Sequence, residues 1–89
     1  YLINTARGPL VNEEDLADAL NNGRLAGAGL DVLGIEPNTD SPLLLAKNVL
    51  LSPHRAWSAK EARARLMDQA FENLRNWHLG KPTHVVNLP

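Results

Sequence analysis

Short apolar segments alternate with helical segments along this chain of 89 residues, and that alternation limits its fold more than any other feature. Residues 1–4, 25–32 and 49–51 are predicted to be buried strands. A helix is predicted between the first two strands, with Asn12 as its N-cap and Gly23 as its stop. This order favours an α/β fold built on a doubly wound parallel sheet. Because three strands are few for such a sheet and the chain starts inside a strand, we expect a fragment of a longer polypeptide.

A long helix is predicted over residues 58–79. Ser58 and Glu61 have the spacing of a capping box, and Gly80 follows the expected end. An apolar stripe recurs at helical spacing, at Ala62, Leu66, Ala70, Leu74 and Trp77. We therefore expect one face of this helix to pack against another body.

Composition excludes several classes of function. The sequence has no cysteine, which rules out disulfides and thiolate metal sites and fits a reducing cytoplasm; no metal is expected. The formal net charge is −1, which gives no reason to expect nucleic acid as a partner. No apolar run approaches the roughly 18 residues of a membrane span, so no membrane partner is expected.

Four polar residues follow the predicted strands. Arg7 follows the first strand, Asp31 and Glu36 follow the second, and His54 follows the third. Ligands of open parallel sheets bind at the carboxyl ends of the strands, so these side chains are candidates for one crevice. Each has a plain alternative: Arg7 pairs with a carboxylate, Asp31 caps a loop, Glu36 is solvated, and His54 packs in a loop.

A guanidinium, a carboxylate and an imidazole suit the reduction of a 2-keto acid. The planar fork of an arginine matches a substrate carboxylate in a bidentate way. A carboxylate beside a histidine stabilises the imidazolium, which can then donate a proton to a carbonyl oxygen. The hydride must come from a cofactor, because no side chain can supply it.

Ordered motifs at these positions resemble the C-terminal part of the NAD-dependent D-isomer-specific 2-hydroxyacid dehydrogenases. The resemblance spans essentially the whole chain, and its motifs are residues 2–8, 26–32, 36–37, 53–54 and 86–87. It implies that Arg7 binds the substrate carboxylate and polarises the keto group. It also implies that His54 is the general acid and base and that Glu36 is its hydrogen-bonded partner.

The same resemblance implies a set of cofactor-binding residues. Thr5 and Ala6 fall where the family's backbone lies along the cofactor, next to Arg7. Asp31 falls where an aspartate holds the nicotinamide carboxamide, and Arg7 and His54 are the other cofactor-binding residues implied. The cofactor is NAD or NADP, with NAD favoured. The phosphate-binding Gly-x-Gly-x-x-Gly turn is not in this sequence, since Gly27 and Gly29 lie inside a strand.

The stretch around His54 looks most like the glycerate dehydrogenase and hydroxypyruvate reductase branch. Arg55 departs from the apolar residue expected there. Trp57 either walls the substrate pocket or is a packing residue.

The fold implied is the C-terminal half of a Rossmann-type sheet plus a long helix. Residues 1–89 would belong to the NAD-binding domain, with residues 58–89 returning toward a missing substrate domain. The implied protein is a cytoplasmic homodimer that reduces hydroxypyruvate or glyoxylate to the D-2-hydroxy acid, while the isolated fragment is inactive and self-associates. The alternative is a protein-binding module like the C-terminal-binding transcriptional corepressors, which resemble the same family.

Overall fold

The computed structural model describes residues 1–87, and the chain divides into two units, Tyr1–Ala56 and Trp57–Pro89. The first unit holds three strands, one α-helix and two short 3₁₀ turns. In chain order they are β1 (Leu2–Asn4), a turn at Gly8–Leu10, α1 (Glu13–Asn21), β2 (Ala28–Leu30), a turn at Pro42–Leu44 and β3 (Val49–Leu51). The second unit holds the helix α2 (Lys60–His78).

The three strands form one parallel sheet in the order β1-β2-β3. Asn4 pairs with Leu30, and Leu30 pairs with Leu51, so the strands end level with one another. The loops that follow the strands therefore leave from the same edge of the sheet. This confirms the predicted α/β parallel architecture and puts the candidate residues at one edge.

Helix α1 begins and ends where its sequence predicts. The Asn12 side chain accepts hydrogen bonds from the backbone N–H groups of Glu14 (3.0 Å) and Asp15 (3.1 Å). These acidic residues also place negative charge at the positive end of the helix dipole. Gly23 has φ of 71°, a left-handed conformation that glycine adopts without steric cost.

The core lies between α1, the sheet and the second 3₁₀ turn. Its buried members are Leu16, Ala17, Leu20, Ala28, Leu30 and Leu43. Leu20 and Leu43 are each 1% exposed. Burying a leucine side chain stabilises a fold by about 1.5–3 kcal/mol, so this small cluster fixes α1 against the sheet.

Strand β2 is shorter than the 25–32 segment predicted from the sequence. The N–H of Leu25 donates to the carbonyl oxygen of Ala19 at 3.1 Å, so this part of the chain is still bonded to α1. The chain joins the sheet at Ala28 and leaves it after Leu30. Apolar composition alone did not reveal this, because Leu25 packs against the same core as the strand.

The capping box predicted for the long helix is wrong. Helix α2 begins at Lys60, and its N-cap is Ala59, which makes no side-chain cap hydrogen bond. The carbonyl oxygen of Ser58 instead accepts from Nε (3.3 Å) and a terminal nitrogen (3.0 Å) of Arg63. Most side chains of the predicted apolar stripe are exposed, including Leu66 at 60% and Leu74 at 62%, whereas Ala62 is half-buried. Among residues 1–87 no helix is long and apolar enough to cross a membrane.

Candidate active site

The turn after β1 is held by a buried asparagine. Asn4 is 7% exposed, and its side-chain amide donates to the carbonyl oxygen of Arg7 at 2.8 Å. Its side-chain oxygen accepts from the N–H of Ala6 at 3.1 Å. Thr5, Ala6 and Arg7 are exposed at the sheet edge. Sequence reasoning missed the role of Asn4, although an asparagine that starts a turn after a strand is a recognised Asx-turn pattern.

His54 and Glu36 form a direct pair. Nδ1 of His54 lies 2.6 Å from Oε2 of Glu36, and the other carboxylate oxygen accepts from the N–H of Leu33 at 2.9 Å. The hydrogen bond with His54, followed by that from Leu33, lowers the pKa of Glu36 below its ordinary value. The His54 and Glu36 side chains are 41% and 34% exposed, so the pair is accessible to a small molecule. His54 has φ of 51°, a left-handed backbone uncommon for a residue other than glycine.

Arg7 shares a cleft with this pair. The cleft has a volume of about 190 Å³ and is lined by Arg7, Gly8, Pro9, Val32, Leu33, Gly34, Glu36 and His54. The structure therefore brings together the three residues predicted to be catalytic. A cationic fork and a carboxylate-bound imidazole in one small cleft can bind a carboxylate and exchange a proton with a neighbouring oxygen.

Asp31 fixes the loop that carries His54. It is 4% exposed, and its Oδ1 accepts from the Ser52 hydroxyl (2.6 Å) and the Arg55 N–H (2.9 Å). Its Oδ2 accepts from the Ala56 N–H at 2.8 Å. These bonds, led by that from Ser52, lower the pKa of Asp31. Asp31 thus caps the loop, which was the plain alternative for this residue, and sequence reasoning did not foresee Ser52 as its partner.

Trp57 belongs to the second unit. Its ring lies 5.2 Å from the guanidinium carbon of Arg63, a distance typical of a cation–π contact. This contact fixes the indole near the start of α2. A substrate-pocket role for Trp57 stays a prediction.

Parallel strands with polar side chains at their carboxyl ends define the class of α/β ligand-binding domains. A sequence model described as "D-isomer specific 2-hydroxyacid dehydrogenase, NAD binding domain" matches residues 1–56. The chain belongs to this family, as its motifs predicted.

Named relatives and solved structures agree with this family. The hydroxypyruvate reductase of Blautia hydrogenotrophica is 53% identical over 87 residues, which are 97% of this chain and 27% of that protein. The glycerate dehydrogenase of Methylorubrum extorquens is 46% identical over 88 residues, covering 96% of this chain and 28% of that protein. An acyclic imino acid reductase in complex with NADPH and D-Arg superposes with a TM-score of 0.66 at 38% identity, covering 97% of this chain and 28% of its own. The chain thus spans little more than a quarter of the length of these proteins.

The residues present fit one end of an NAD(P) cofactor. The exposed turn of Thr5 and Ala6 and the carboxylate of Asp31 lie after neighbouring strands, at the edge where parallel sheets bind their ligands. Oδ2 of Asp31 accepts a hydrogen bond from the N–H of Ala56, and a carboxylate oxygen can accept two, so it could also accept from a carboxamide. A phosphate-binding glycine motif is not in the sequence. Within residues 1–87 no cluster of three or more histidine and acidic side chains could hold a metal.

Proposed function

We propose that this chain supplies the catalytic residues of an NAD(P)H-dependent D-2-hydroxyacid dehydrogenase that reduces hydroxypyruvate or glyoxylate. The observation that carries the proposal is the 2.6 Å contact between His54 and Glu36 in a cleft shared with Arg7. The names of the relatives, a hydroxypyruvate reductase and a glycerate dehydrogenase, support the choice of substrate.

The guanidinium of Arg7 binds the substrate carboxylate and draws electron density from the keto oxygen. Glu36 accepts from Nδ1–H of His54, which fixes the ring and leaves Nε2 as the nitrogen that carries the transferred proton. Nε2–H donates that proton to the keto oxygen as the carbonyl carbon is reduced, and the carboxylate of Glu36 stabilises the imidazolium beforehand. In the reverse direction the neutral ring accepts the hydroxyl proton.

The nicotinamide, when bound, supplies the hydride. Thr5 and Ala6 would line its binding site, and Asp31 would accept from its carboxamide. NAD is favoured over NADP on the family description, whereas a solved relative holds NADPH. The homodimer, the cytoplasmic location and the self-association of the isolated chain stay predictions.

Turnover by the full-length protein that carries this chain tests the proposal. Oxidation of NADH and NADPH would be followed with hydroxypyruvate, glyoxylate, pyruvate and phosphohydroxypyruvate, and the configuration of each chiral product determined. We expect the fastest reduction with hydroxypyruvate or glyoxylate, and D-glycerate from hydroxypyruvate. Absence of turnover with all four substrates would contradict the proposal and favour a protein-binding module of the corepressor kind.

Substitution of two different histidines, His54 and His78, gives a test variant and its matched control. His54→Gln is expected to lower kcat by about 10²- to 10⁴-fold, the usual contribution of a general acid. His78→Gln changes an exposed histidine in the last turn of α2 and is expected to leave kcat unchanged. Equal kcat values for the two variants would show that His54 is not the general acid of the reaction.

A further inference from the structure

One carboxylate on α1 ties down both ends of the loop that carries Glu36. We call residues 33–41 the Glu36 loop. Oε1 of Glu13 accepts from the N–H of Gly34 at 2.6 Å, near the start of this loop. Oε2 of Glu13 accepts from the hydroxyl of Ser41, the last residue of the loop. These bonds join residues 21 and 28 positions apart, so they fix the loop to a different element of the fold.

The anchor itself is rigid. Glu13 is the first residue of α1, and this helix buries Leu16, Ala17 and Leu20 in the core. Ser41 is 5% exposed, so its bond to Glu13 is shielded from water. A carboxylate that accepts two bonds from a position fixed by core packing therefore restrains both ends of the loop.

The bond between Glu13 and Gly34 lies next to the contacts that hold the His54–Glu36 pair. Gly34 follows Leu33, whose N–H donates to one oxygen of Glu36, while the other oxygen of Glu36 contacts His54. A shift of Gly34 therefore moves the donor that orients the Glu36 carboxylate. The packing at Gly34 is tight, because a Cβ at this position would lie 3.3 Å from Oε1 of Glu13.

We propose that Glu13 is a positioning residue for the His54–Glu36 pair, an inference that rests on the proposed function of that pair. Glu13 acts on the pair through its bonds to the Glu36 loop. Charged groups that face His54 include the carboxylates of Glu36 and Asp31, with Arg7 on the wall of the same cleft. Loss of the Glu13 carboxylate weakens the contribution of Glu36, which stabilises the imidazolium.

The test compares three variants of the full-length protein. Glu13→Ala is expected to lower kcat about 10-fold, because small misplacements of catalytic groups have large effects on rate. It should also move the alkaline limb of the pH profile of kcat/KM to lower pH, and leave the KM for NADH within about twofold of wild type. Glu13→Gln keeps the side-chain size and one acceptor oxygen, so it should lie between wild type and alanine. Glu14→Ala changes the exposed neighbour and is expected to match wild type.

A second readout does not need turnover. Diethyl pyrocarbonate reacts with the neutral imidazole, so the pH dependence of His54 modification, read by peptide mass spectrometry, reports on its protonation. This dependence should move to lower pH in Glu13→Ala. If wild type reduces no keto acid, the proposed function fails while this measurement still tests Glu13.

Both readouts can overturn the inference. If Glu13→Ala lowers only the melting temperature and leaves the pH profile and the His54 modification as in wild type, Glu13 merely stabilises α1. If the alanine variant does not fold, Glu13→Gln decides: a pH profile and a modification curve identical to those of wild type would reject the positioning role.

Discussion

Replacing Gly8 with alanine should displace the backbone that lines the cleft, and the size of the displacement can be estimated from the structure. Gly8 is buried and follows Arg7 directly, at the start of the first 3₁₀ turn. A Cβ at this position would lie 1.9 Å from the carbonyl oxygen of Leu33 and 2.4 Å from the nitrogen of Gly34. Both are backbone atoms, so no side-chain rotation can relieve the overlap.

The required movement follows from the contact distance. Ordinary van der Waals contact begins at 3.4 Å, so the Gly8 backbone and the Leu33 carbonyl must separate by about 1.5 Å. Arg7 lies on one side of this contact, and Leu33, which orients Glu36, lies on the other. A misplacement of about 1 Å can cost 10²-fold in rate, so we expect Gly8→Ala to lower kcat/KM by about 10²-fold.

Steady-state kinetics of the full-length protein, with a melting curve for each variant, tests this expectation. Gly23→Ala is the matched control, because the same methyl group there meets nothing within 4 Å. Gly23 has φ of 71°, so its alanine variant is expected to lose about 1 kcal/mol of stability and to keep its kinetics within twofold. A Gly8→Ala protein with wild-type kcat/KM would refute the argument that this backbone contact sets the width of the cleft.

Three further predictions concern the polar residues of the site. Glu36→Gln should move the alkaline limb of the kcat/KM profile to lower pH, since an amide no longer stabilises the His54 imidazolium, and an unchanged profile would contradict the pairing. Arg7→Lys should lower kcat/KM by roughly 10²-fold, because lysine lacks the planar fork; kinetics within twofold of wild type would make Arg7 structural. The lowered pKa of Asp31 adds stability that is complete above the ordinary carboxyl pKa and is lost as pH falls through the lowered value. Urea unfolding at pH 7 and pH 3 should reveal that loss in wild type and a smaller loss in Asp31→Asn; equal losses would refute it.

Local signals in the sequence were sufficient for much of the fold. The N-cap at Asn12 and the stop at Gly23 were predicted correctly, because capping depends on neighbours within four residues. The capping box predicted at Ser58 is wrong, because Ala59, one residue later, occupies the N-cap position. The backbone of Ser58 is engaged by Arg63, and the helix begins two residues after Ser58.

The sequence predicted which residues meet in the candidate site, but not how their loops are bonded and oriented. Parallel strands that end level place Arg7, Asp31 and His54 at one edge, and short apolar segments that alternate with helical segments indicate such strands. The burial of Asp31 and its bond to Ser52 depend on where the loop after β3 turns, and left-handed backbone at His54 has no clear sequence signature. The bonds of Asp31 with Ser52 and Arg55 join residues 21 and 24 positions apart, so local sequence patterns do not predict them.

Each of the three loops at the sheet edge is held by one polar side chain that is itself fixed by the fold. Asn4 holds the turn of Arg7, Glu13 holds the loop of Glu36, and Asp31 holds the loop of His54. Two of these anchors come from a different element than the loop they hold, so an isolated loop would not keep its shape. Because a buried polar group costs stability unless it is bonded, the buried anchors Asn4 and Asp31 also penalise loop conformations that leave them unpaired. The same hydrogen bonds therefore stabilise the first unit and fix the geometry of the cleft. Substitutions at the anchors should alter stability and catalysis together, whereas substitution of an exposed residue such as Glu14 should leave catalysis unchanged.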